Sequence, residues 1–226
     1  MKADVYEDKR YLSWLEHANE RDYLERFLRS SVDVWCPSKT LSMLEWGCGP
    51  GAAALRFFKI LRENDVSFDY TGVEPFDAQL EEFRKIGEDV TLVQGDFETF
   101  TPSKAYDLAL VIHSLYYTNM VEALEKTFEY ADRAIIVHHG VNGINSVHEE
   151  FPDLVNRMSN RVSTYQDVLR SLEGLGRNYE FVELQTQVDI RPCKELNQEG
   201  RNMISFFLER TNLNEEEFVR VSEYFQ

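Results

Sequence analysis

Three carboxylates and a histidine stand at the ends of apolar runs, positions where a ligand can be held. Glu45 lies near the end of Leu41-Ser-Met-Leu-Glu-Trp46 and is followed by Gly47-Cys48-Gly49-Pro50-Gly51. Glu74 closes Phe68-Asp-Tyr-Thr-Gly-Val-Glu74, the pair Asp96-Phe97 follows Val90-Thr-Leu-Val-Gln-Gly95, and His113 closes Ala105-Tyr-Asp-Leu-Ala-Leu-Val-Ile112-His113. Glycines at alternate positions give a turn without Cβ atoms, which a ligand can approach closely. A carboxylate about 20 residues further on is placed to take both hydroxyls of a ribose. Asp96 can accept from an exocyclic adenine amine, and Phe97 can cover the ring. These residues together read as a site for a nucleotide-like cofactor.

The order of the glycines narrows the cofactor. A dinucleotide fingerprint reads Gly-x-Gly-x-x-Gly, with pyrophosphate at the helix N-terminus. Here the order is Gly-x-Gly-x-Gly, and Glu45 before it would repel pyrophosphate but can hold an ammonium group.

These residues need elements to position them. The apolar runs predict strands at 41–46, 68–73, 90–95, 106–112 and 133–139, with helices over 52–63, 77–87 and 119–131 between them. This alternation predicts an α/β, doubly wound, Rossmann-like sheet that binds its ligand outside the carboxyl ends of the parallel strands. Residues 9–34 place Leu12, Leu15, Tyr23, Leu24, Phe27 and Leu28 at helical spacing, which predicts an N-terminal helical cap within residues 1–40. The C-terminal third reads as mixed loop and helix from Gly140 to Arg161, then a helix starting near Ser163. Strands over Tyr179–Ile190 and Asn202–Glu209 follow as a closing antiparallel hairpin, and a short acidic helix begins near Asn214. The whole chain, 1–226, reads as a single domain.

Composition bounds the partners. The 226 residues carry a formal charge of −16, with no clustered Lys/Arg face to neutralise phosphates, so nucleic acid is excluded as a substrate. The same field favours cationic small molecules. Cys36, Cys48 and Cys193 lie far apart without metal spacing, and the N-terminus lacks an apolar signal region; the reading is a reducing cytoplasm. No apolar run approaches the roughly 18 residues needed to span a bilayer. Of the five histidines, His113, His138, His139 and His148 are expected at one crevice edge and His17 on the cap. They form no compact ligand motif, so no metal site is expected.

The acid-x-Gly-x-Gly-x-Gly loop, the strand-end acid, the Asp-aromatic pair and the strand led by Tyr106-Asp107 come in the order found in class I S-adenosylmethionine-dependent methyltransferases. The chain resembles that family over roughly Leu41 to Glu209. The resemblance implies S-adenosyl-L-methionine as cofactor and S-adenosyl-L-homocysteine as product. It also implies a cofactor set of Glu45, Gly47, Cys48, Gly49, Glu74, Gln79, Asp96, Phe97 and Ile112. Within the class, four segments resemble histamine N-methyltransferase: Leu15-Glu-His-Ala-Asn-Glu20, Phe76-Asp-Ala-Gln79, Val111-Ile-His-Ser-Leu-Tyr-Tyr117 and Arg201-Asn-Met-Ile-Ser-Phe206. That resemblance places Glu20, His113 and Asn202, the last opening the final strand, around the acceptor. Tyr116, Tyr117 and His139 would line the site. The family has glutamine where His113 stands, and Ile144 and His148 occupy the places of its substrate-covering tryptophans. The connection from Phe97 to Tyr106 also lacks the family's insertion. The acceptor implied is therefore a small, histamine-like amine or imidazole compound.

Methyl transfer from a sulfonium is an in-line displacement, so the protein's task is to position the acceptor. An amine acceptor must also arrive uncharged, in a dry site with a hydrogen-bond acceptor or base near it. His113 is placed to bond the substrate or take a proton, and the tyrosine faces favour a sulfonium or cation. Two other readings use the same residues: an O- or carboxyl-methyltransferase in which His113 or His139 deprotonates a hydroxyl, and a methyltransferase-like binding subunit without turnover.

Overall fold

The computed structural model describes residues 9–156 and 163–226. In chain order its elements are α1 (Lys9–His17), α2 (Glu20–Ser30), α3 (Val32–Trp35), β1 (Thr40–Trp46), α4 (Ala54–Glu63), β2 (Ser67–Glu74), α5 (Asp77–Arg84), β3 (Thr91–Gln94), β4 (Leu108–Ile112), α6 (Met120–Tyr130), β5 (Ala134–Val137), α7 (Ile144–Glu150), α8 (Tyr165–Gly174), α9 (Gln198–Phe207) and α10 (Glu215–Tyr224). Two compact units emerge: Leu24–His138 with Tyr165–Val182, and Met1–Tyr23 with His139–Thr164 and Glu183–Gln226.

The first unit holds the sheet. Its strands run β3-β2-β1-β4-β5 and every pairing is parallel. From Met43 in β1 and Tyr70 in β2 onward, each residue of these central strands is buried. A strand covered on both faces carries a continuous apolar run, which is why these segments do not alternate. One face packs Leu44, Trp46, Val73, Ala109 and Val111 against Ala123 and Leu124 of α6 and Val168 and Leu172 of α8. The helix α4 buries Ala54, Phe57, Phe58 and Leu61 at helical spacing, and Phe58 meets the Tyr70 ring edge-on at 4.9 Å.

The second unit is helical. Trp14 of α1 stacks on Phe206 of α9 at 5.2 Å, within a cluster that includes Val147, Phe151, Met203, Phe207, Phe218 and Val221. The chain breaks between α1 and α2 at Ala18, which forms an isolated antiparallel bridge with Val188. Asn19 fixes the break: its N–H donates to the Gln187 carbonyl at 3.1 Å, and its Oδ1 accepts from the Gln187 N–H at 2.7 Å. The expected single helix through Leu15–Glu20 is thereby corrected to two, with Glu20 opening α2.

The closing antiparallel hairpin is also corrected. Tyr179, Phe181 and Val182 are 39%, 47% and 52% exposed; that segment contains no strand, so its apolar residues do not alternate across a sheet. Asn202–Phe207 belongs to α9. Met203, Ile204, Ser205, Phe206 and Phe207 are all buried, and a short apolar run buried on every side carries no period by which a strand can be told from a helix. The deciding signal lies just upstream, where Asn197 caps α9 by accepting from the Gly200 N–H. The acidic helix expected near Asn214 is α10, with a reciprocal cap between Asn214 and Glu217. Residues 1–8 of the expected cap and 157–161 of the mixed segment lie outside the described residues. Among the described residues, no helix is long and apolar enough to cross a membrane.

Gly200 provides a test of the α9 assignment. A Cβ there would stand 2.5 Å from the Glu195 carbonyl oxygen and closer still to that of Pro192. Helix propensity alone favours Gly200→Ala by about 1 kcal/mol, whereas overpacking against backbone costs about 1–3 kcal/mol. The net expectation is a lower midpoint in urea unfolding for Gly200→Ala; a raised midpoint would contradict the close approach.

Candidate functional site

The strand order reverses between β1 and β4, and open α/β sheets bind ligands at such a reversal, beyond the strands' carboxyl ends. The loop leaving β1 is bent by Gly47, Gly49 and Gly51, at φ of 72°, 53° and 82°. A Cβ on Gly47 would lie 2.6 Å from the Ser114 Cβ, and one on Gly51 would lie 2.7 Å from the Phe83 ring. Those two glycines let the loop pack on the exit of β4 and on α5. A Cβ on Gly49 would meet nothing within 4 Å, so this glycine borders space that a ligand can enter.

Glu74, at the end of β2, is 6% exposed. Its Oε2 accepts from the Gly49 N–H and its Oε1 from the Phe76 N–H, each at 3.0 Å. Each oxygen has a second lone pair, so the carboxylate can hold the loop and still accept from hydroxyl groups.

Glu45 is 1% exposed, and the Tyr70 hydroxyl donates to its Oε2 at 2.5 Å. Burial pushes its carboxyl up to about 8; the Tyr70 bond opposes the rise and the charge of Glu74 adds to it. Tyr70 was not anticipated from the sequence, because only the register reveals it. Glu45 pairs with Gly72 and Met43 with Tyr70, which sets the phenol diagonal to the carboxyl. The glycine opposite Glu45 is the nearest thing to a sequence signal, since a Cβ on Gly72 would strike the Cys48 sulfur at 2.8 Å and the Tyr70 ring at 2.9 Å. Burial raises the Cys48 thiol far above its ordinary value, with Glu45 and Glu74 adding to it.

Asp96 organises its own turn. Its Oδ1 accepts from the N–H groups of Glu98 and Thr99 and from the Thr99 hydroxyl, at 3.0, 2.9 and 2.8 Å. Phe97 is buried and stacks on Trp46 at 4.7 Å. Gln79 is half-buried on α5, and half-buried Ile112 ends β4, paired with Val137.

Beyond β4, His113 takes a positive φ of 53°, which costs a non-glycine residue about 1–2 kcal/mol. Its N–H donates to the Val137 carbonyl at 3.0 Å, and its Nδ1 lies 2.7 Å from the Tyr116 hydroxyl. Tyr116 is 4% exposed and stacks on His138 at 4.5 Å. Tyr117 ends the short 3-10 turn Leu115–Tyr117; its side chain lies outside the described residues.

The remaining candidates belong to the second unit. Glu20 and His139 are half-buried. Asn202, also half-buried, accepts from Gln198 Nε2 at 2.9 Å and reaches Ser13 Oγ at 3.5 Å; it stands within α9, not at a strand start. His148 departs from the expected crevice edge. It is 4% exposed inside that unit, and its Nε2 donates to the Phe207 carbonyl at 2.5 Å. Its Nδ1 has no partner among the described residues, and burial holds the ring below its ordinary pKa. Among the described residues, no three His, Cys, Asp or Glu side chains are grouped to hold a metal.

Residues 44–136 match the family model described as a methyltransferase domain. This stretch, less than half of the chain, runs from β1 to β5 and contains the glycine loop, Glu74, Asp96 and His113. No curated protein sequence matches the chain. The fold is similar to that of the plantazolicin methyltransferase BpumL, solved with S-adenosylhomocysteine (SAH) and a triazolic desmethylPZN analog. That match has 16% identity and a TM-score of 0.53, covering 88% of this chain and 78% of that one. It is likewise similar to magnesium protoporphyrin IX methyltransferase from Synechocystis PCC 6803 with bound SAH, at 14% identity and a TM-score of 0.52, covering 70% and 71%. DesVI of Streptomyces venezuelae is 24% identical over 49% of this chain, with a TM-score of 0.40, and the match spans about half of DesVI, 47%. These comparisons support the α/β fold of methyltransferases and do not carry the narrower resemblance to histamine N-methyltransferase.

Two expectations follow. Glu74→Ala should weaken S-adenosylmethionine binding by about 1.5–3 kcal/mol, the range for bonds to a charged group; unchanged affinity in calorimetry would remove Glu74 from the cofactor set. Glu45 makes the stability of the cofactor-free protein depend on pH. Its folded pKa of about 8 lies above the ordinary 4.5, so its contribution is full below 4.5 and is lost as pH rises through 8. Melting curves across that range should show Glu45→Gln gaining stability relative to wild type with rising pH, and a pH-independent difference would refute the buried neutral acid.

Proposed function

We propose that the chain transfers a methyl group from S-adenosylmethionine to a small organic acceptor, an amine or imidazole nitrogen, and releases S-adenosylhomocysteine. The observation that carries the reading is the open space beside Gly49, whose N–H donates to the buried carboxylate of Glu74. In this reading Glu74 takes the ribose hydroxyls, and Asp96 and Phe97 take the adenine. Gly47, Cys48, Gly49 and Glu45 face the methionine end, with Gln79 and Ile112 lining the cofactor. When bound, the cofactor supplies an electrophilic methyl on a cationic sulfur.

The protein's own part is to hold the acceptor in line and keep water out. Glu20 orients the acceptor by hydrogen bond, His113 and Asn202 hold it, and Tyr116, Tyr117 and His139 line the site. The charge of −16 supports a cationic or neutral small molecule over an anionic one or a nucleic acid. The whole chain works as one methyltransferase domain in a reducing cytoplasm, a setting that suits three free, buried cysteines.

The test is turnover of methyl-labelled cofactor against a panel of small amines, imidazoles, carboxylates and hydroxyl compounds. Label in amines or imidazoles supports the reading. Label only in oxygen compounds favours the O-methyl alternative, and cofactor binding without transfer favours the binding subunit. With an accepted substrate, Glu20→Gln and Asn202→Ala should each lower kcat/KM by about tenfold, the scale of one lost hydrogen bond. Cofactor affinity should stay nearly constant. Wild-type kinetics in both variants would dissolve the acceptor site while sparing the methyltransferase reading.

A further inference from the structure

His113, Tyr116 and His138 form a column of near-parallel rings beyond β4 and β5. Tyr116 lies 15° from the plane of His113 and 27° from that of His138, with centroid distances of 6.1 and 4.5 Å. The phenol is buried and its hydroxyl is 2.7 Å from His113 Nδ1. The His113 backbone is fixed independently, by its positive φ and its bond to the Val137 carbonyl.

We propose that Tyr116 is a positioning residue for His113: its hydroxyl donates to Nδ1, fixes the ring orientation and leaves the imidazole proton on Nε2. The inference rests on the acceptor-holding role given to His113 above. A neutral phenol carries one proton and, when buried, directs it to an acceptor; the unprotonated Nδ1 provides one. Rotating the imidazole by half a turn would put a C–H in that place and lose the bond. The tautomer follows, because the hydrogen bond at one ring nitrogen settles which nitrogen carries the proton. His113 then holds the acceptor molecule as a hydrogen-bond donor, through a lone-pair atom other than the nitrogen that receives the methyl.

Nitrogen-15 NMR of the full chain, at a pH of about 8 where imidazole is neutral, reads the tautomer without turnover. In wild type the expected spectrum shows His113 protonated at Nε2 and unprotonated at Nδ1. Tyr116→Phe keeps the ring and its stack on His138, and should convert that pattern into averaged tautomers. With an accepted substrate, the same variant should lower kcat about three- to tenfold, the effect of one hydrogen bond. In a His113→Gln background it should add nothing further, since its effect passes through the imidazole. A wild-type proton on Nδ1, or an unchanged His113 pattern in Tyr116→Phe, overturns the proposal. The wild-type spectrum alone decides the tautomer if the variant does not fold. Should no acceptor be methylated while the tautomer responds as expected, the methyl-transfer reading fails and the positioning of His113 stands.

Discussion

The buried carboxylate of Glu74 ties together the two chain segments that leave β1 and β2. One oxygen holds Gly49 in the loop after β1 and the other holds Phe76 in the turn after β2. The preceding residue reinforces the tie, for the Val73 carbonyl accepts from both Gly47 and Cys48, at 2.7 and 3.1 Å. The left-handed glycine turn is thus hung on the end of β2, and α4 starts where that turn releases it. A carboxylate this deep is stable only when it is hydrogen-bonded, and the loop amides supply a bond to each oxygen. Loop geometry and fold stability rest on the same bonds.

The sheet was legible because its residues are constrained from both sides. Central parallel strands must be apolar throughout, and glycines must stand where a Cβ would collide with Ser114 or Phe83, so both features appear in the sequence itself. The partners that finish the site were not legible. Tyr70 reaches Glu45, and Tyr116 reaches both His113 and His138, only through strand register and a short turn, neither of which local spacing encodes. Thr99, which closes the Asp96 turn, is nearer to legible, because an Asp followed three residues later by a hydroxyl residue is a recurrent turn pattern.

The C-terminal third failed for a different reason. Its apolar run over Met203–Leu208 is buried on all sides, which erases the period that separates helix from strand. The polar signals at its boundary, Asn197 and Gly200, are informative only once Pro192 and Glu195 are known to pack against them. With that strand went the match that placed Asn202 at the start of a final strand, whereas the motifs from Glu45 to His113 kept their positions. Two of the four segments behind the narrow resemblance, Leu15–Glu20 and Arg201–Phe206, fall where the elements were misread, whereas the motifs behind the broad one all lie in the sheet unit.

The sheet unit buries an acid, Glu45, and the helical unit a base, His148, each in its neutral form. His148 in the helical unit resists charging, so stability is lost as pH falls below its ordinary value of 6.5. Glu45 in the sheet unit resists charging from the other direction, as pH rises above 4.5. Acid therefore strains the helices and alkali the sheet, and just below 6.5 the two slopes oppose each other. The pH response is thus divided, with the base of one unit answering acid and the acid of the other answering alkali.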